Sequence, residues 1–348
     1  MSKVVVGMSG GVDSAVSAYL LKKAGHDVIG MTLRTRPGNI SREIEDARAI
    51  AQKLDIPYYA PDCTAEFDER VKRPFFQAYI DGRTPNPCII CNRRMKWERL
   101  LHYADEFGAD FVSTGHYASV VQTPGGRWTI QQAEIPDKDQ AYVLYRLTQE
   151  QLSRTLMPLG KYSKPEVRQI AADAGIPVAQ KKDSQEICFV TEGTYTDYIE
   201  NDPALDPPGK GNFVSEDGKI LGEHRGIIYY TVGQRRGLGI AFGTPMYVKR
   251  INAAANEVVL GDESSLYSSE IRCGDLNFMS IPDIPEGQTV RALVKIRYHH
   301  AGEKADISRD GEGTVRIVFD KPVRAATPGQ SAVFYDDENR VIGGGVIL

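Results

Sequence analysis

The stretch Lys3–Ser14, KVVVGMSGGVDS, constrains this chain more than any other. Val4–Val5–Val6 is a run of β-branched residues of the kind a buried parallel strand requires. Ala15, Val16, Tyr19 and Leu20 then recur at helical spacing, and Gly25 is expected to close that helix in the left-handed conformation. Between strand and helix stands Ser9–Gly10–Gly11–Val12–Asp13–Ser14. Two glycines let the backbone curl so that N–H groups face inward, and the helix N-terminus adds positive potential. Ser9 and Ser14 add hydroxyl donors, which an ordinary glycine-rich turn has no need of. The Gly–Lys–Ser/Thr of the common nucleotide loop is absent, so no loop lysine reaches a γ-phosphate. The sequence therefore suits a grip on pyrophosphate, with Asp13 as a candidate Mg²⁺ ligand.

The first half continues this alternation. Asp27–Leu33, Tyr58–Ala60 and Asp110–Ser113 read as strands. Ser41 is placed to cap a helix whose Ile44, Ala47, Ala51 and Leu54 share a face. Strands alternating with helices imply a parallel sheet covered on both faces, with ligands at its carboxyl edge. Segment 148–175 is helical in period, with Ser163 as N-cap and Pro165 in the first turn. Pro203, Pro207, Pro208, Gly209 and Gly211 then form a breaker cluster. Beyond it, short β-branched and aromatic runs alternate with turn residues: Ile227–Val232, Met246–Ile251, Glu257–Leu260, Val290–Tyr298, Thr314–Phe319, Ser331–Tyr335 and Val341–Ile347. Those fit small antiparallel sheets or a barrel. The expected division is 1–202, 203–262 and 263–348. No apolar run reaches the length of a bilayer span and no signal-peptide pattern opens the chain, so a soluble, cytoplasmic protein without a membrane partner is expected.

Five cysteines, at 63, 88, 91, 188 and 273, are an odd set for a disulfide framework and point to thiol or metal chemistry. Thr84–Pro85–Asn86–Pro87–Cys88–Ile89–Ile90–Cys91–Asn92 is stiffened by two prolines. Cys91 is expected to open the helix carrying Met95, Leu100 and Leu101, and a thiol at a helix N-terminus has a depressed pKa. Lys181–Lys182–Asp183–Ser184–Gln185–Glu186–Ile187–Cys188–Phe189 sets a third cysteine near two lysines. A structural zinc site would need a second ligand pair that is missing, since His299–His300 are adjacent and would diverge on a strand. Cys63 and Cys273 read as small apolar residues.

Taken together, SGGVDS, TPNPCIICN and KKDSQEICF, with Thr114–Gly115–His116–Tyr117, Lys138–Asp139–Gln140–Ala141–Tyr142, Thr231–Gly239 and Thr327–Pro328–Gly329–Gln330, resemble the tRNA-specific 2-thiouridylases of the PP-loop ATP pyrophosphatase superfamily in order and spacing. The resemblance covers nearly the whole chain. It implies an α/β fold: a parallel-sheet, adenine-nucleotide α-hydrolase-like PP-loop domain, a small β-rich tRNA-binding domain and a C-terminal β-barrel. It also implies ATP-dependent replacement of oxygen by sulfur at uracil C2 of the tRNA wobble uridine. A urea-like oxygen leaves poorly, so ATP first adenylates it and AMP departs when sulfur attacks.

By the same resemblance, Cys91 is the nucleophile and Cys188 the persulfide carrier, joined in a transient disulfide that must be reduced. Gly7, Met8, Ser9, Gly10, Gly11, Val12, Asp13, Ser14, Leu33 and Gly115 would hold ATP, with Mg²⁺. Asn86, Pro87 and Cys88 would meet the target base. Lys138, Asp139, Gln140, Arg297, Tyr298 and Gln330 would meet tRNA. His116 is equally readable as a tRNA contact or as a core histidine. A sulfur-relay protein or cysteine desulfurase would be the donor. Many relatives have Asp at the position of Cys88; three thiols are compatible with a [4Fe-4S] cluster held by Cys88, Cys91 and Cys188 with one open iron.

The formal charge is −4, so a tRNA site must be a local patch. Residues 224–256 carry Arg225, Arg235, Arg236, Lys249 and Arg250 without an acid. Residues 287–302 carry Arg291, Lys295, Arg297, His299 and His300, again without one. Two other readings remain at this point: a PP-loop synthetase adenylating a small molecule, which would have no use for three thiols, and a catalytically silent RNA-binding module.

Overall fold

Five parallel strands run in the spatial order Tyr58–Tyr59, Asp27–Met31, Lys3–Gly7, Phe111–Ser113 and Thr155–Leu156. The computed structural model describes residues 1–36, 42–177, 187–190, 192–240 and 243–348. Val4, Val5 and Val6 are fully buried because this strand lies in mid-sheet with helices packed on it. The order turns outward in both directions from Lys3–Gly7, so its carboxyl end is the switch point at which such sheets open a crevice. Helix Val12–Lys23 leaves from that crevice, and Gly25 closes it at φ +89°.

A hairpin, Ala118–Gln122 with Trp128–Gln132, extends this domain. A four-stranded sheet follows, ordered Tyr247–Asn252, Glu257–Gly261, Gly211–Val214, Ile220–His224. The chain ends in a closed six-stranded barrel made of Tyr267–Phe278, Thr289–Lys295, Glu303–Arg309, Val315–Arg324, Ser331–Tyr335 and Val341–Ile347. The PP-loop-type parallel domain and the C-terminal barrel expected from the resemblance are both present.

Several local expectations are corrected. Ile227–Val232 is not a strand: Ile227–Tyr229 forms a single 3₁₀ turn behind Gly226. That turn sends Ile227 into the core of the central sheet and Ile228 into an aromatic cluster of the first domain. The helical period over 148–175 is interrupted. Helix Gln149–Ser153 ends at Arg154, Thr155–Leu156 joins the sheet beside Val112 and Ser113, and helix Lys164–Asp173 starts afresh at the Ser163 capping box. The strand expected over Val290–Tyr298 stops at Lys295, so His299 and His300 follow it in a turn. Ser41 and residues 181–186 lie outside the described residues, and so do the cap and the lysine pair expected there.

Candidate active site

The phosphate loop is tied from within and from behind. Ser14 Oγ accepts from the Ser9 backbone N–H at 3.1 Å and donates to the Gly11 carbonyl at 3.2 Å. Gly10 has φ +68°, and a Cβ there would stand 2.4 Å from the Glu43 carbonyl oxygen, so only glycine fits. Gly115 abuts the loop from the next strand: its Cβ would lie 2.5 Å from Ser14 N. Met8 is held by its backbone N–H to the Met31 carbonyl; Gly7 ends its strand, and Leu33 follows two residues after Met31, the end of the neighbouring strand. Val12 is buried under the loop.

The lysine missing from the loop arrives from elsewhere. Lys164, first residue of its helix and 9% exposed, places Nζ 2.8 Å from both Asp13 carboxylate oxygens, and Tyr117 donates to Asp13 Oδ1 at 2.6 Å. Asp13 is therefore already engaged by a cation and a hydroxyl. Among the described residues no three His, Cys, Asp or Glu side chains converge as metal ligands. Lys164 had no signal in the local motif; only the packing of its helix against Val12–Lys23 brings it there.

The cysteine segment departs from expectation. Its helix opens at Pro87, not Cys91: Asn86 is the N-cap, its Oδ1 accepting from Cys88 N at 3.1 Å, and Pro87 fills the first position where no N–H is needed. Cys91 ends this first turn, and a π-helix, Asn92–Trp97, continues from it before helix Glu98–Glu106. The expected depressed pKa at Cys91 is overturned. Burial pushes its thiol up to about 12, with Lys96 pulling down and Cys188 and Cys88 pushing further up. Cys88 is exposed as a residue, yet burial of its thiol also pushes its pKa up, with Lys96 pulling down.

Cys188 is exposed and within electrostatic reach of both other thiols. The next residue explains how it stays there. Phe189 is 4% exposed and meets Phe67, Phe75 and Phe76 edge-on at centroid distances of 5.7, 5.4 and 6.1 Å. Cys91 packs against the same cluster. Cys63 and Cys273 are buried, as expected of small apolar residues.

Of the remaining candidates, Tyr298 and Gln330 tie the C-terminal barrel to the first segment, and the others bond within their own segment. Gln140 Oε1 accepts from the Tyr117 backbone N–H at 3.0 Å, joining the 138–140 segment to Asp13 through Tyr117. Asp139 accepts from Ala133 N, Ala141 N and Gln132 Nε2, its carbonyl accepts from Tyr298 Oη at 2.9 Å, and Lys138 precedes it at the end of a 3₁₀ turn. Arg297 donates to the Arg324 carbonyl, and Gln330 Nε2 donates to the Thr84 carbonyl at 2.8 Å at the base of the cysteine loop. His116 is buried, its Nδ1 is 2.7 Å from Thr114 Oγ1, and burial followed by Lys96 holds it well below its usual pKa, so it is neutral. Of the basic residues, Arg235, Arg236 and Arg250 are exposed, whereas Lys249 pairs with Glu216 and Arg291 with Asp306 and Asp320.

Residues 2–192 match a family model described as the tRNA methyl transferase HUP domain, 204–262 a tRNA methyl transferase PRC-barrel domain, and 268–347 an aminomethyltransferase β-barrel domain. The chain is 48% identical to the tRNA-specific 2-thiouridylase MnmA of Lachnoclostridium phytofermentans, covering 100% of both chains. It is 47% identical to MnmA 1 of Clostridium tetani, over 99% of this chain and 96% of that one. With the MnmA of Acetivibrio thermocellus the identity is 48%, over 99% of each.

Proposed function

This chain belongs to the tRNA-specific 2-thiouridylase family, and we propose that its three exposed or half-exposed thiols and its phosphate loop serve one reaction. It is a tRNA-uridine 2-sulfurtransferase that uses ATP and takes tRNA as substrate; a small-molecule synthetase is not favoured. The observation that carries the reading is the adjacency of Gly115 and His116. Gly115 abuts Ser14 of the phosphate loop, while the His116 ring lies tilted against Trp97 at a centroid distance of 5.6 Å and feels Lys96, the same cation that acts on Cys88 and Cys91. Phosphate site and thiol site are thus back to back.

In the proposed sequence, residues 7–14 with Leu33 and Gly115 hold ATP and its Mg²⁺. The wobble uracil, presented beside Asn86, Pro87 and Cys88, attacks the α-phosphorus through its C2 oxygen, and pyrophosphate leaves. Cys91, as thiolate, attacks Sγ of a Cys188 persulfide; the S–S bond breaks, a Cys91–Cys188 disulfide forms, and hydrosulfide departs with the electron pair. That sulfur adds to C2 and AMP leaves with the oxygen. A two-electron reductant resets the disulfide. Lys138, Asp139, Gln140, His116, Arg297, Tyr298 and Gln330 contribute to tRNA binding, with Tyr298 and Gln330 also tying the barrel to the first segment, and segments 1–202, 203–262 and 263–348 act as catalytic, tRNA-binding and barrel units in the cytoplasm. A sulfur-relay protein or a cysteine desulfurase loads Cys188. The cluster alternative lacks support, because the thiols do not converge as metal ligands among the described residues.

The test incubates protein, ATP, a persulfide donor and a wobble-uridine tRNA transcript, then weighs the anticodon nucleosides. A gain of sulfur that vanishes in Cys91→Ser and Cys188→Ser is expected. Activity that survives both substitutions, or that requires bound iron after anaerobic reconstitution, overturns the persulfide route.

A further inference from the structure

Asp13 stands in the phosphate loop, where an unbalanced carboxylate would repel the phosphates the loop is shaped to grip. The fold answers with Lys164, whose Nζ lies 2.8 Å from both carboxylate oxygens, and with the Tyr117 hydroxyl, which donates to Oδ1 at 2.6 Å. Lys164 opens its helix, and an ammonium in a first helical turn opposes the helix dipole. Local energetics disfavour it there, so its partner is what holds it.

A lysine on a flexible four-carbon stem supplies charge but little direction. Tyr117 supplies direction. It is 3% exposed and belongs to the buried core that includes Val12, Leu159 and Val167, so packing aims its hydroxyl. Its backbone is clamped by one residue on both sides: Tyr117 N–H donates to Gln140 Oε1 at 3.0 Å, and the Gln140 N–H donates to the Tyr117 carbonyl at 2.9 Å. Gln140 is braced in turn. Asp139 beside it accepts from Ala133 N and Gln132 Nε2, and its carbonyl accepts from Tyr298 of the barrel. The residues just before Tyr117 lie along the same loop: Ser17 Oγ donates to the Thr114 carbonyl at 2.9 Å, and Gly115 abuts Ser14.

We infer that Tyr117 is a positioning residue of the ATP site, orienting the Asp13–Lys164 pair beside the phosphate loop, and that the Gln140 side chain serves ATP through Tyr117. The amide oxygen of Gln140 is directed at the Tyr117 backbone, a task separate from contact with tRNA. The inference rests on ATP occupying the phosphate loop, so its test reads ATP binding alone, with no tRNA and no sulfur donor present.

Full-length protein is titrated calorimetrically with ATP and, separately, with a wobble-uridine tRNA transcript. Tyr117→Phe removes only the hydroxyl and is expected to weaken ATP binding about tenfold, as for loss of one hydrogen bond to a charged group, with tRNA binding unchanged. Gln140→Leu should weaken ATP binding about threefold, and Gln140→Glu, which keeps an acceptor oxygen, should restore it. Tyr145→Phe loses a comparably buried hydroxyl bond, to Ser331, and should lower the Tm without changing ATP affinity. Unaltered ATP affinity in Tyr117→Phe, or a Gln140→Leu defect confined to tRNA, overturns the inference. If Tyr117→Phe does not fold, the Gln140 pair decides, and equal ATP affinity in Gln140→Leu and Gln140→Glu overturns it. Failure of the unaltered protein to bind ATP would instead strike the functional reading, and this inference with it.

Discussion

Phe189 anchors the segment that carries Cys188. An exposed thiol on an irregular segment would sample many positions, but its neighbour is locked among Phe67, Phe75 and Phe76. Phe189→Ala is expected to destabilise the protein by about 3–5 kcal/mol, as for other buried phenylalanines. The rate of Cys91–Cys188 disulfide formation should fall while Cys188 itself alkylates as fast as before, which thiol mapping would check. The raised Cys91 pKa has its own consequence. Below about 12 the thiolate fraction rises tenfold per pH unit, so iodoacetamide should label Cys88 and Cys188 before Cys91 at neutral pH, and Cys91 labelling should climb steadily towards pH 10. Cysteine identity and spacing were visible in the sequence. The sign of the pKa shift was not, because burial outweighs the helix terminus and burial is a tertiary property.

At the scale of elements, the strand–loop–helix unit at the N-terminus was legible almost residue by residue, since each feature is local: β-branched run, glycine turn, helical period, terminal Gly25. Gly10→Ala should abolish AMP production, because both φ +68° and the Glu43 carbonyl exclude a Cβ. Circular dichroism should show the fold retained while ATP no longer protects against thermal unfolding. The cysteine helix was legible in existence but not in register. Asn86 as N-cap and Pro87 at the first position are sequence-readable start signals, and they set the start four residues before Cys91. The π-helix left no such trace. Segment 148–175 was misjudged because its helical period is real on either side, while Thr155–Leu156 takes its conformation from pairing with Val112 and Ser113.

The whole molecule is less modular than its three segments suggest. Val333, Tyr335, Val341 and Met279 of the C-terminal part share one hydrophobic core with Val5, Trp97, Tyr142, Tyr145 and Leu152. Gly344 permits the contact: a Cβ would stand 2.7 Å from the Tyr145 ring. Tyr142 and Tyr145 both bond Ser331, at 2.8 and 3.0 Å. Deleting 263–348 is therefore expected to yield an aggregating catalytic fragment, and limited proteolysis should not release the barrel as a folded piece; a soluble, cooperatively unfolding fragment 1–262 would contradict this. Buried Cys273 and Tyr145 each titrate near 12, above their unfolded values of about 8.5 and 10. A folded-state pKa raised in this way leaves stability whole below the unfolded value and erodes it as pH rises towards the folded one. Denaturation midpoints should fall from about pH 9 upwards, and less steeply in Cys273→Ala.

What the sequence determined alone was whatever short range decides: the phosphate loop, the spacing of the three thiols, the order of α/β and β segments, and through their motifs the family. What only the tertiary structure decided was which distant groups meet those motifs. Lys164 on Asp13, Gly115 against Ser14, Phe189 packed among Phe67, Phe75 and Phe76, and Gln330 on Thr84 all depend on the packing of separate elements. Neither local propensity nor hydrophobic period carries that information, because both describe a residue's neighbours along the chain and not across it.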